Sequence, residues 1–179
     1  MNKLKNTKTV VIGPMESDNE RGKQLRQEIK KELSKMNIVV WDHYNRPYEG
    51  FVEESSETHD LLKQYRENEQ YEKIADYKDI RRQDLALIDR CDFVLCVFEK
   101  KTFTIGTIEE LSWANRCQKP IFFVWGEGKK ECPFWIFWML QHNYIYSSVV
   151  DAIEVIRKID SGEKEIDSKK WRLFKEEYR

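Results

Sequence analysis

The chain has 179 residues, enough for one domain with a real core. Charged residues make up 35% and hydrophobic residues 40%, as in a soluble globular protein, and a formal net charge of −1 gives no global field to attract polymeric nucleic acid or an anionic membrane. The longest apolar run, "FWIFWML" at 134–140, is far too short to cross a bilayer, so no membrane span is expected.

The opening "MNKLKNTK" has charge but no apolar stretch behind it, unlike a signal peptide. "KTVVIG" (8–13) is a short β-branched run ending at Gly13 and predicts a buried strand. Residues 20–36 place Leu25, Ile29, Leu33 and Met36 on one helical stripe. "NIVVW" (37–41) predicts a second strand. A polar insertion, 42–76, follows, with weak helical patterning near Leu61, Leu62 and Tyr65. It is acidic: eight acids between Glu49 and Glu72 face only Lys63 and Arg66, as on a solvated face or an acidic docking surface. A connection of this length inside a compact domain is usually functional or partly ordered.

Regular patterning returns at 77–90, where Ile80, Asp84, Leu87 and Ile88 fall at helical spacing. "FVLCVF" (93–98) and "PIFFVW" (120–125) predict the third and fourth strands, with a helix over 107–117 between them. "PFWIFWML" (133–140) opens with Pro at a first helical position and is apolar all round, predicting a helix buried on several sides or a subunit contact. "NYIYSS" (143–148) fits a short fifth strand, and 149–159 a last helix with Val149, Ile153 and Ile156 on its stripe. The chain thus divides into an α/β domain, 1–160, and a charged, helical tail, 161–179, with Trp171, Phe174 and Tyr178 on one face. Alternating strands and helices imply three layers, with a central parallel sheet of about five strands. Ligands of such sheets bind beyond the carboxyl ends of the strands. That edge holds Gly13 to Asn19, Asp42 to Arg46, Glu99 to Glu110 and Gly126 to Gly128.

Two glutamates in "TIGTIEELSWA" (104–114) lie at that edge. Thr107 and Glu110 have capping-box spacing, so Glu110 is either a cap or a reactive carboxylate favoured by the helix N-terminus. Asp84 is an acid on an apolar stripe, which either caps something or serves a site. Asp92 lies just before the third strand. The turn "VVIGPMESDNERG" lacks both the G-x-G-x-x-G pattern and the Lys of a P-loop, and reads equally as an ordinary turn or a ligand loop. Cys91, Cys96, Cys117 and Cys132 form no C-x-x-C pair and do not cluster with His, so no metal site is expected and a reducing cytoplasm is the simple inference. Arg21, Arg46 and Lys119 are basic residues available to a phosphate.

"VVIGPM", "RRQDLALIDRCDFVLCVF" and "GTIEELSWANRCQKPIFFVW", in this order, resemble the nucleoside 2-deoxyribosyltransferase family over roughly residues 8–157. The resemblance implies a flavodoxin-like or Rossmann-like α/β fold and N-glycosidic chemistry on nucleosides or nucleotides, with no cofactor. In the Gly-x-x-x-Glu motif, Gly106 to Glu110, it implies that Glu110 attacks C1′ of the sugar, with Asp84 in the base pocket and Asp92 as a further catalytic acid. Gly13, Pro14, Met15, Gly106 and Thr107 match the substrate-binding positions. Some members hold the nucleophile with a Tyr on the first strand, where this chain has Val11, and many have Gly-Tyr where it has Ser112 and Trp113. Transfer of deoxyribose between bases and hydrolysis of the bond are both open. A homo-oligomer is expected. The rival readings are a non-catalytic nucleotide-binding or sensing module and an interaction protein.

Overall fold

The computed structural model describes residues 2–13, 19–44, 46–48, 55–75, 77–98 and 104–179. The strands are β1 (Lys8–Ile12), β2 (Val39–Trp41), β3 (Phe93–Phe98), β4 (Ile121–Trp125) and β5 (Ile145–Tyr146). They form one five-stranded sheet in the order β2-β1-β3-β4-β5, with every pairing parallel. The register sets Thr9 beside Phe93, Ile12 beside Cys96, and Phe98 beside Trp125. The helices are α1 (Asn19–Ser34), α2 (Ser56–Glu67), α3 (Tyr71–Ala75), α4 (Asp79–Arg90), α5 (Ile105–Arg116), α6 (Phe134–Met139) and α7 (Val149–Ser161).

The chain moves from β1 outward to β2, then back past β1 to β3 and onward to β4 and β5. Right-handed crossovers therefore put α1 and α7 on one face and α4 to α6 on the other. α1 packs on α7, and α4 on α5. Both faces are covered, so the central strands carry near-continuous apolar runs instead of alternation. Every residue of β4 is buried, and so is every residue of β3 except Val97. This is the three-layer flavodoxin-like arrangement expected from the sequence.

Three elements differ from expectation. The insertion 42–76 begins inside the core, with Asp42, His43 and Arg46 buried, before α2 and α3 carry its acidic faces. α6 is not a core helix: only Ile136 is buried, while Phe134 and Trp138 are 82% and 83% exposed. Phe134 and Trp138 lie two residues to either side of Ile136, so they fall on the opposite side of the helix from it.

The tail after α7 is not an α-helix. Gly162, at φ +87, ends α7 in the left-handed conformation that glycine adopts without steric cost. Turns and extended chain follow, with only a single 3-10 turn at Glu176–Tyr178. Trp171 is 2% exposed and meets Tyr144 edge-on at 4.0 Å, while Tyr178 is 70% exposed, so the tail aromatics share no single face. The Arg172 N–H donates to the Gln118 carbonyl at 2.8 Å, and the Phe174 N–H to Asp92 Oδ1 at 3.2 Å. The tail is a strap across the amino edge of the sheet.

Candidate active site

α5 begins earlier than the capping-box reading requires. Its N-cap is Thr104, in extended conformation, whose hydroxyl oxygen accepts from the Thr107 N–H at 3.4 Å and lies 2.8 Å from the Thr107 hydroxyl. Glu110 is thus in the second helical turn and does not cap the helix. It shares the buried stripe of Thr107, Leu111 and Ala114 and is 3% exposed.

α4 packs against α5 and brings Asp84 to the same place. Asp84 is 1% exposed, on the stripe of Ile80, Leu87 and Ile88. Its Oδ1 accepts from Arg46 Nε at 3.1 Å and Nη2 at 2.6 Å, and its Oδ2 from Arg81 Nη1 at 2.9 Å. Two permanently charged guanidiniums favour the carboxylate over the acid. Asp84 is therefore suited to accepting and orienting, not to donating a proton.

His43, just beyond β2, joins the two acids. Its Nε2 lies 3.1 Å from Glu110 Oε1 and 3.7 Å from Asp84 Oδ1. Arg81 Nη1 donates to the same Glu110 oxygen at 2.9 Å. Both bonds fall on Oε1; among the described residues no group donates to Oε2. The other His43 nitrogen, Nδ1, is buried without a hydrogen-bond partner among the described residues.

The electrostatics agree from both sides of the His43–Glu110 pair. Burial alone would raise Glu110, but the charge and hydrogen bonds of His43 and Arg81 outweigh it and hold the carboxyl below its ordinary 4.5. Burial alone would lower His43, but the Glu110 carboxylate, its hydrogen bond and Asp84 raise the imidazole above its ordinary 6.5. Each partner thus favours the charged form of the other.

These groups border a cavity of about 300 Å³, at the small end for ligand pockets. Gly13 ends β1 at its floor, and Thr104, Ile105, Gly106 and Thr107 form the α5 wall. His59, from α2, closes another side. A Cβ on Gly13 would lie 2.5 Å from the Val97 carbonyl oxygen, so only glycine lets β1 and β3 converge there. His43, Asp84 and Glu110 bring nitrogen and oxygen atoms within 4.8 Å of one another. A cation there would compete with Arg46 and Arg81 for the same oxygens.

Of the residues expected from the sequence, Glu110, Asp84, Gly13, Gly106 and Thr107 meet at this cavity. Pro14 and Met15 lie outside the described residues. Asp92 does not join them. It precedes β3, so it sits at the amino edge, where its Oδ2 accepts from the Lys8 N–H at 2.8 Å and its Oδ1 from Phe174 N–H. Its role is to tie β1 and the tail to the sheet. Arg46, a candidate for phosphate, faces Asp84, and Lys119 donates to the Asp89 and Cys91 carbonyls. His43, Arg81 and His59 were not singled out by sequence. Topology marked the segment holding His43, but a lone His carries no spacing signal.

No protein-family model matches the chain, and no curated protein matches it in sequence. Among solved structures it is similar to a 2-deoxyribosyltransferase from the psychrotolerant bacterium Bacillus psychrosaccharolyticus, with a TM-score of 0.56 and 16% identity, covering 87% of this chain and 94% of that one. A CMP N-glycosidase, BcmB, from Clostridium botulinum aligns with a TM-score of 0.48 and 14% identity, covering 84% of this chain and 98% of that one. The five parallel strands in the order β2-β1-β3-β4-β5, with helices on both faces, are thus the flavodoxin-like fold of the 2-deoxyribosyltransferase.

Proposed function

We propose that the chain is an enzyme that breaks the N-glycosidic bond of a nucleoside or nucleotide through a covalent sugar on Glu110. The observation that carries this reading is the state of that carboxylate. It is ionised, held through Oε1 by Arg81 and His43, and among the described residues has no donor on Oε2, beside a cavity of about 300 Å³. A nucleophile must be charged, oriented and reachable. The fold shared with a 2-deoxyribosyltransferase supports the same chemistry.

In the first step Oε2 bonds to C1′ as the C1′–N bond breaks, and the bonding pair leaves with the base. The base takes up a proton, for which His43 is the titratable group of the cluster able to give one. Asp84 is an acceptor for base or sugar donors. In the second step another base, or water, attacks C1′ and releases Glu110, with net retention at C1′. The incoming group's proton returns to His43. No cofactor enters this scheme.

The reading includes a homo-oligomer in a reducing cytoplasm. The exposed Phe134 and Trp138 on α6 and the four free cysteines support it. Light scattering of wild type against Trp138→Glu tests the assembly.

The chemistry is tested by incubation with ribo- and deoxyribonucleosides and their monophosphates, with released base read by chromatography and the sugar adduct by intact mass. Wild type releases base and gains a sugar mass. Glu110→Gln loses at least about a thousandfold in rate. Ligand-induced stabilisation without any base release would replace the enzyme with a binding module.

A further inference from the structure

Arg81 is a heavily engaged side chain of the site. A guanidinium has five N–H donors in a fixed planar fork. Arg81 uses all five. Nε donates to Glu109 Oε2 at 3.3 Å. Nη1 donates to Asp84 Oδ2 and to Glu110 Oε1, both at 2.9 Å. Nη2 donates to the Gly106 carbonyl at 3.2 Å and to Glu109 Oε2 at 2.8 Å. One side chain of α4 thus grips three carboxylates and the first turn of α5.

The saturation fixes what Arg81 does. It has no donor left for a substrate phosphate without breaking a bond inside the protein. It also acts on Glu110 at one oxygen only, the one His43 already holds. Two donors hold Oε1 and leave Oε2 with no donor among the described residues, on a side chain that lines the cavity. Glu109, 50% exposed, anchors the far edge of the fork.

We propose that Arg81 is the positioning residue of this site: its five-bond fork orients the Glu110 carboxylate and keeps it charged, and does not bind substrate. This role rests on Glu110 being the nucleophile proposed above. The rival is a structural staple between α4 and α5 that leaves the state of Glu110 unchanged. The two differ in the titration of Glu110. The charged or titratable groups facing that carboxylate are His43, Arg81, Asp84 and the neutral thiol of Cys96. With Arg81 removed, the carboxylate loses one of the two groups whose bonds oppose the burial of its charge.

The test is a ¹³C NMR titration of glutamate-labelled protein, with the Glu110 carboxyl assigned by its absence in Glu110→Gln. In Arg81→Gln the Glu110 midpoint rises by about one unit, the lower end of the shift a nearby opposite charge produces, because Arg81 is partly exposed. Glu109→Gln, which removes two fork bonds but none to Glu110, leaves the midpoint in place. If Arg81→Gln loses its folded spectrum, Arg81→Lys is titrated instead. A single ammonium cannot reproduce the fork, and the midpoint rises by a smaller amount. An unchanged midpoint in the folded variant overturns the proposal, whether or not wild type cleaves anything. On a substrate that wild type turns over, Arg81→Gln lowers kcat at least tenfold with KM within about threefold, and the acid limb of kcat moves up with the Glu110 midpoint. A wild type without base release would instead overturn the proposed reaction, and leave the titration to decide the role of Arg81.

Discussion

Replacing Asp84 by Asn probes the electrostatic logic of the site through stability alone. The exchange keeps volume and shape but removes the charge. In the native site Asp84 is 1% exposed and the Arg46 side chain fully buried, with donors arriving at Oδ1 from Arg46 and at Oδ2 from Arg81. An amide has one accepting oxygen and one NH₂ group, so either orientation sets N–H against N–H on one side. Arg46 also loses the carboxylate it faces. Breaking a buried ion pair at one partner costs about 3–5 kcal/mol. For a chain of this size each kcal/mol lowers Tm by roughly 2–4 °C, so the expected loss is roughly 6–20 °C. Glu109→Gln is the control: its ion pair with Arg81 is half-exposed, and its loss costs less than about 1 kcal/mol. Urea denaturation and calorimetry at neutral pH read both variants. A D84N protein within about 1 kcal/mol of wild type, or no less stable than E109Q, would refute the claim that the carboxylate compensates buried guanidinium charge.

The His43–Glu110 pair sets a window in pH. The folded value of Glu110 lies below 4.5, so its contribution is present above that pH and lost as pH falls through the lowered value. The folded value of His43 lies above 6.5, so its contribution is complete below that pH and lost as pH rises through the raised value. Wild type is expected to lose stability on the alkaline side of 6.5, and His43→Gln to show a flat profile there at a level about 1–3 kcal/mol lower in mild acid, by urea midpoints from pH 5.5 to 9. An equal alkaline slope in H43Q would assign the loss to another group. Gly13→Ala drives a methyl to 2.5 Å from the Val97 carbonyl oxygen and is expected to cost about 1–3 kcal/mol by chemical denaturation, with weakened ligand binding; wild-type stability would show that β1 and β3 separate freely there.

Much of the fold was legible because burial on both faces leaves a simple mark. The β-branched and aromatic runs of β1, β3 and β4 have no polar interruption, and the helices between them repeat apolar residues at three and four. Asp84 stood out as an acid on such a stripe. Glu110 was ambiguous because Thr107 and Glu110 have the spacing of a cap, and only the earlier start of α5, at Thr104, separates the readings. Asp92 misled because it entered through the family resemblance; an acid just before a parallel strand lies at the amino edge, and here it anchors the strap. Arg81 was invisible because half-exposed arginines on helices are commonplace, and its value lies in contacts 25 to 29 residues away. The sequence left α6 open between a core helix and a subunit contact, because an all-apolar heptad looks the same whether or not its own chain covers it.

The convergence of β1 and β3 at Gly13 has a bearing on how this scaffold diversifies. The base of the hollow there is main chain against main chain, so it presents no side chain to exchange. Altered selectivity has to come from the rim instead, where His59 stands on an inserted helix and Ile105 projects from the start of another. Libraries aimed at new ligands belong at those rim positions, with the acid pair left untouched.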